Sequence, residues 1–130
     1  MVLVDTSVWI EYLDRGSPQV EKDVEELLHM DEAAVAGIVM AEIRRGCRKA
    51  NQVRNLMNVF EPLVYFETDR EAWLRAGQLA ADGAARGAAL QLADCLLAAL
   101  AFREDCSIYT LDRDFDRIPA LKLYRPHVVE

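Results

Sequence analysis

The stretch Val2-Leu3-Val4-Asp5-Thr6-Ser7-Val8-Trp9 changes character at Asp5. Before it stands a short continuous apolar run, the pattern of a strand buried on both faces. After it, Thr6 or Ser7 can cap a helix that continues Val8-Trp9-Ile10-Glu11-Tyr12-Leu13. Further β-rich runs follow at Ala33–Ala36, Leu63–Phe66, Ser107–Thr110 and Leu121–Tyr124, the last as a possible edge strand ended by Pro126. Helical runs separate them: Gln19–Met30 after the break at Gly16-Ser17-Pro18, Ile38–Arg45 stopped by Gly46, and Ala50–Phe60 ended by Pro62. A long run from Thr68 or Asp69 to Ala85 and an apolar one from Leu90 to Arg103 complete the helices, with Asp112–Ile118 a short turn or helix. Alternating strands and helices imply βαβ units, hence an α/β fold of three layers with a mostly parallel sheet of four to five strands.

The 130 residues fit a single domain spanning 1–130. A chain of this size buries roughly two-thirds of its unfolded surface, so it needs no disulfide staples. Hydrophobic residues make up 52% and charged residues 28%, which excludes a disordered chain. No apolar run reaches the roughly 18 residues of a membrane span. The apolar start ends at Asp5 without a basic flank, too short for a signal peptide. The three cysteines, Cys47, Cys95 and Cys106, form no C-x-x-C pair and read as reduced thiols of a cytoplasmic protein. The net charge of −7 argues, taken alone, against a nucleic-acid partner.

In parallel sheets, ligands sit at the carboxyl ends of the strands. Asp5 follows the first strand directly, and Asp112 follows Thr110-Leu111 at the end of the fourth. Glu42 lies in the helix leaving the second strand, and Asp94 lies early in the helix that returns to the fourth. Four carboxylates from distant stretches therefore meet on one rim. Each has a plainer reading alone: Asp5 as a turn residue, Glu42 as a surface partner of Arg45, Asp94 as a helix N-terminal charge, and Asp112, Asp114 and Asp116 as a solvated loop. Yet Asp94 is embedded in Leu90-Gln91-Leu92-Ala93-Asp94-Cys95-Leu96-Leu97, where a charge must be paired, coordinated or neutralised. Clustered carboxylates raise one another's pKa unless a cation is present, and hard oxygen donors select Mg²⁺ or Mn²⁺.

Four segments carry a family resemblance: Val4-Asp5-Thr6-Ser7-Val8-Trp9, Met40-Ala41-Glu42-Ile43-Arg44-Arg45-Gly46, Asp94-Cys95-Leu96-Leu97-Ala98-Ala99 and Thr110-Leu111-Asp112-Arg113-Asp114-Phe115. Together, in this order and spacing, they resemble the PIN-domain ribonucleases, and more narrowly the VapC-type toxins of toxin–antitoxin pairs. Cys95 departs from the small residue that many relatives carry after the third acid. The resemblance implies an endoribonuclease that needs Mg²⁺ or Mn²⁺, with Asp5, Glu42, Asp94 and Asp112 as its acidic quartet. Asp5 and Asp94 would hold a metal directly, Glu42 and Asp112 would complete or extend the site through water or a second ion, and the last ligand is one of Asp112, Asp114 and Asp116, with Asp112 favoured and Asp114 second. Ser7 and Thr110 could hydrogen-bond water or a phosphate oxygen, although a cap role suits Ser7 equally. A homodimer and a cognate antitoxin, whose C-terminal segment wraps the toxin and blocks its acids, are implied as well.

This chemistry needs no histidine, and His29 and His127 read as surface or packing residues. Arg44, Arg45, Arg48, Lys49 and Arg54 cluster beyond Glu42, with Arg86, Arg113 and Arg117 expected near the same rim. They form either a solvated face or a track for an RNA backbone. Glu21, Asp23, Glu25, Glu26, Asp31 and Glu32 concentrate on another helix, expected to be a remote solvated face. Placed so, a charge of −7 does not exclude RNA. Trp9, Trp73 and Phe102 fall at core spacing and read as packing residues. A phospho-receiver module is the competing class, but its strand-end lysine is missing: Lys22, Lys49 and Lys122 lie elsewhere. An aspartyl phosphatase would need D-x-D at Asp5-Thr6-Ser7.

Overall fold

A computed structural model describes residues 1–126; His127 and the surface or packing role expected for it lie outside the described residues. The order is β1 (Val2–Val4), α1 (Thr6–Asp14), α2 (Pro18–His29), β2 (Ala33–Ala36), α3 (Gly37–Gly46), α4 (Ala50–Phe60), β3 (Val64–Phe66), α5 (Arg70–Ala85), α6 (Leu92–Arg103) and β4 (Ser107–Tyr109). A short 3-10 helix, Arg113–Arg117, follows β4. The four strands form one parallel sheet in the order β3-β2-β1-β4. Val2 and Leu3 lie opposite Ala33 and Ala34 on one side and opposite Ser107 and Ile108 on the other.

Parallel crossovers are right-handed. Both steps from β1 to β3 run in one direction along the sheet, which puts α1–α4 on one face. The step from β3 back past β1 to β4 runs the other way, which puts α5 and α6 on the opposite face. Apolar sequence follows from this burial on both sides: every residue of β1 and β2 is buried. The order in which strands are added reverses between β1 and β4, and that crevice is where such a sheet binds ligands.

Local chemistry sets the helix ends. Ser17 accepts a hydrogen bond from the Val20 amide at 3.3 Å, with Pro18 opening α2. Asp69 does the same for Ala72 at 2.9 Å, opening α5. Gly83 approaches the next segment so closely that an added Cβ would stand 2.9 Å from the Ala88 carbonyl, and Gly87 turns with φ of 82°. This tight reversal returns the chain into α6. From Cys95 to Ala101 every residue of α6 is buried, so the helix is apolar all round.

Several expectations change. Neither Thr6 nor Ser7 caps α1. Asp5 holds the cap position without a side-chain cap bond, and both hydroxyls turn to carboxylates instead. Gly46 closes α3 from within rather than stopping it. The fifth strand reduces to a single parallel bridge, Ile108 to Leu123, held by the Ile108 amide on the Lys122 carbonyl at 2.9 Å. Trp9 is fully buried against Phe60 at 5.0 Å, but Trp73 is 56% exposed and packs no core. Phe102 is half-buried beneath the Arg75 guanidinium. All three cysteines are free thiols. Among the described residues no helix is long and apolar enough to cross a membrane.

Candidate metal centre

The end of β1 meets the end of β4 through hydrogen bonds. The Asp5 amide donates to the Tyr109 carbonyl at 2.9 Å, extending the ladder by one rung. Both hydroxyls nearby then converge on one oxygen of Asp5: Oδ2 accepts from Ser7 at 2.9 Å and from Thr110 at 2.8 Å. Ser7 in turn accepts from the Leu111 amide at 3.1 Å, and Thr110 from the Asp112 amide at 3.0 Å. Asp112 opens the 3-10 helix by accepting from the Asp114 amide at 2.9 Å. Asp5, 7% exposed, is thus held by a chain of hydrogen bonds that runs into the loop carrying Asp112 and Asp114.

Asp94 comes from the other face, in the first turn of α6. Carboxylate oxygens of Asp94, Asp112 and Asp114 all lie within 4.8 Å of one another. Burial, and then the charges of Asp5, Asp112, Asp114 and Glu42 in that order, push the Asp94 carboxyl up to about 7. Glu42 belongs to this field from α3. Its Oε1 accepts from the Thr6 hydroxyl at 3.1 Å, and no ion pair joins it to Arg45 among the described residues. Asp116 instead pairs with Arg125.

Asp94 Oδ2 is buried and has no hydrogen-bond partner among the described residues. A carboxylate with an orphaned oxygen, clustered with two further carboxylates, fits a small divalent cation, which takes hard oxygen ligands and offsets their repulsion. Of the three residues weighed for the last ligand, Asp112 and Asp114 are therefore at hand, whereas Asp116 is engaged by Arg125.

The basic cluster sits differently. Arg44, Arg45 and Arg48 are exposed, and none has a carboxylate partner among the described residues. Arg86 reaches the 3-10 helix, donating to the Arg117 carbonyl at 2.7 Å. Asp23 is not part of a solvated face. It is 2% exposed, and its carboxylate accepts from the Tyr109 hydroxyl at 2.8 Å and the Gln19 amide at 3.0 Å. The signal was in the helical period: Asp23 stands three and four residues from Val20 and Leu27, on the buried stripe.

Comparison with known proteins places this geometry among relatives. The family model described as PIN domain matches residues 2–121. A VapC ribonuclease of Mycobacterium bovis is 32% identical over 122 residues, which span 91% of this chain and 91% of that protein. Ribonuclease VapC11 of Mycobacterium tuberculosis matches to the same extent, 32% over 122 residues. Among solved structures, DNA-bound VapBC from Salmonella typhimurium covers 95% of this chain and 96% of its own, with a TM-score of 0.81 at 20% identity. VapBC2 from Rickettsia felis, bound to a promoter DNA fragment, covers 95% and 98%, with a TM-score of 0.78 at 22% identity. At these identities the structural likeness is one of fold.

Proposed function

The chain belongs to the PIN domain family, and from that premise we propose that it is a metal-dependent endoribonuclease acting as the toxin of a toxin–antitoxin pair. One observation carries the reading: Asp94, whose Oδ2 is buried and has no hydrogen-bond partner among the described residues, clusters with the carboxylates of Asp112 and Asp114. Asp5, Asp94, Asp112 and Asp114 would hold Mg²⁺ or Mn²⁺, with Glu42 completing the negative field. When bound, such an ion supplies Lewis acidity: it makes water a better nucleophile and offsets charge on a phosphate.

The chain's own residues do the rest. Ser7 and Thr110 fix Asp5 in one orientation through Oδ2, and no hydrogen bond from a described residue reaches its Oδ1. Burial and the neighbouring acids raise the Asp94 carboxyl to about 7, so a proton held there would have to leave when a cation is held in its place. Arg44, Arg45 and Arg48, which have no carboxylate partner among the described residues, attract the phosphate backbone that the acids would repel. Net charge is then a poor guide to the partner, since positive and negative regions are separated.

The names of the relatives support RNA as substrate. Neighbours of the same fold occur in toxin–antitoxin complexes, which supports a cognate antitoxin as partner. A homodimer, one PIN unit across the whole chain and a cytoplasmic location complete the proposal, the last supported by three free thiols. The receiver alternative would need a lysine at the rim, whereas Lys122 is held by Asp105 at 2.7 Å.

The test is cleavage of single-stranded or looped RNA by the purified protein with Mg²⁺ or Mn²⁺, stopped by EDTA. Asp5→Asn or Asp94→Asn abolishes it; metal-dependent cleavage by either variant overturns the assignment of that residue.

A further inference from the structure

Beside the acidic rim lies a second cleft, of about 500 Å³, that no step above uses. It is bounded by the start of α2, the end of β4 with the loop and 3-10 helix that follow, and the segment 123–126. Small-molecule sites run from roughly 300 to 1,000 Å³, so the cleft has room for a nucleotide. Thr110 and Asp112 line it, and both also belong to the acidic rim. A polymer with one phosphate at the rim therefore has its neighbouring unit here.

The walls suit a base. Tyr124 is half-buried, lines the cleft, and packs against Tyr109 with ring centroids 5.1 Å apart. Tyr109 is itself anchored by its hydroxyl on the buried Asp23. The ring platform is thus braced from beneath, and a preorganised surface loses less freedom on binding. Arg113 stands exposed at the cleft without a carboxylate partner among the described residues, while Arg125 is engaged by Asp116. Single-stranded RNA is gripped by aromatic rings that stack on bases and by arginines that take phosphates or stack as well.

We infer that this cleft is a nucleotide subsite that takes the base adjoining the cleaved phosphodiester, stacked on Tyr124 with Arg113 at the phosphate. Tyr124 then determines where along an RNA the chain cuts. The inference rests on the ribonuclease reading of the rim, but the ligand class can be tested without cleavage.

The experiment titrates the isotope-labelled full chain with AMP, CMP, GMP and UMP in EDTA, followed by amide NMR. Saturable shifts at Gln19, Val20, Leu123 and Arg125 are expected for at least one nucleotide. Tyr124→Leu weakens that nucleotide about tenfold, within the range for loss of a base–aromatic stack. Arg113→Ala weakens it several-fold and, being at an exposed position, decides the matter if Tyr124→Leu does not fold. On a mixed-sequence RNA, Tyr124→Leu redistributes the cut positions. Shifts absent for all four nucleotides at millimolar concentration, or confined to α5, overturn the subsite, as does unchanged affinity in the folded variants. If the protein binds nucleotides here but cleaves no RNA, nucleotide binding in the cleft stands, while its place beside a cleaved phosphodiester falls with the ribonuclease reading. If it cleaves RNA at unchanged positions in Tyr124→Leu, the subsite falls and the ribonuclease reading stands.

Discussion

Thr110 donates a hydrogen bond of 2.8 Å to Asp5 across 105 positions of sequence, and the same hydroxyl accepts from the Asp112 amide at 3.0 Å. One side chain thus joins the acid at the end of β1 to the loop that carries the acids after β4. Thr110→Val keeps the shape and removes both bonds. The expected cost is about 1 kcal/mol per lost hydrogen bond in urea unfolding. RNA cleavage is expected to fall about 10–100-fold, the usual effect of losing a partner that orients a metal ligand. Unchanged cleavage would mean that Asp5 orients itself.

Cation binding is expected to appear as stability. Carboxylates that repel one another without a cation are relieved by it, and a ligand at 100 times its Kd adds about 2.7 kcal/mol. For a chain of this size that is roughly 10 °C in melting temperature. Calorimetry with millimolar Mn²⁺ checks it. Asp94→Asn loses the response and melts higher than the metal-free wild type; an unchanged response in that variant places the ion elsewhere.

The same carboxyl sets a pH dependence. The Asp94 pKa is raised from 3.8 to about 7 in the folded chain, so the native state holds this proton more tightly than the unfolded one. Without metal, this contribution makes stability fall as pH rises from about 4 to about 7, and levels off above. Cations compete with that proton, so the Mn²⁺-induced rise in melting temperature grows over the same window. Thermal scans at closely spaced pH values, against Asp94→Asn as the flat reference, measure both slopes.

Arg44→Ala, Arg45→Ala and Arg48→Ala are each expected to weaken RNA binding and to flatten its salt dependence by about 0.7 in log–log slope, the value for one phosphate contact on a single strand. Binding of a mixed-sequence RNA to the Asp94→Asn chain at several salt concentrations gives the slope without cleavage. If it stays put, these arginines serve another partner.

Tyr109→Phe tests the buried acid. It strips Asp23, 2% exposed, of the hydroxyl that donates to it at 2.8 Å. Weakening the satisfaction of a buried charged group costs about 1–3 kcal/mol. Urea denaturation reads that loss directly, and a neutral result would show that the pair contributes nothing net to folding.

Much of the fold was legible because its strands are short, mostly apolar and separated by helices, some with clear caps, as at Ser17-Pro18 and Asp69. The acidic rim followed from topology, since parallel strands put their carboxyl ends on one edge. What sequence misplaced was set by competition between partners. Thr6 and Ser7 have the chemistry of caps, but carboxylates from elsewhere in the chain claim their hydroxyls. Asp23 sits in an acidic run that looks solvated, yet its helical phase turns it inward to Tyr109. Leu121–Tyr124 has strand-like residues, but the chain meets β4 only at Ile108, and no ladder forms. Glu42 and Arg45 stand at pairing distance in sequence, but Thr6 bonds Glu42 instead.

The order β3-β2-β1-β4 sets a timetable as well as a shape. Asp5 is made 105 positions before its partner Thr110. During synthesis, β1 can pair with β2, and β2 with β3, while the far edge of β1 waits for a strand not yet made. A nascent chain that ends before Ser107 carries Asp5, Glu42 and Asp94 but lacks the loop that closes the acids into one cluster. The acids on the two faces of the sheet thus stay without their closing loop, on a machine itself made of RNA, until the strand beside β1 has been made.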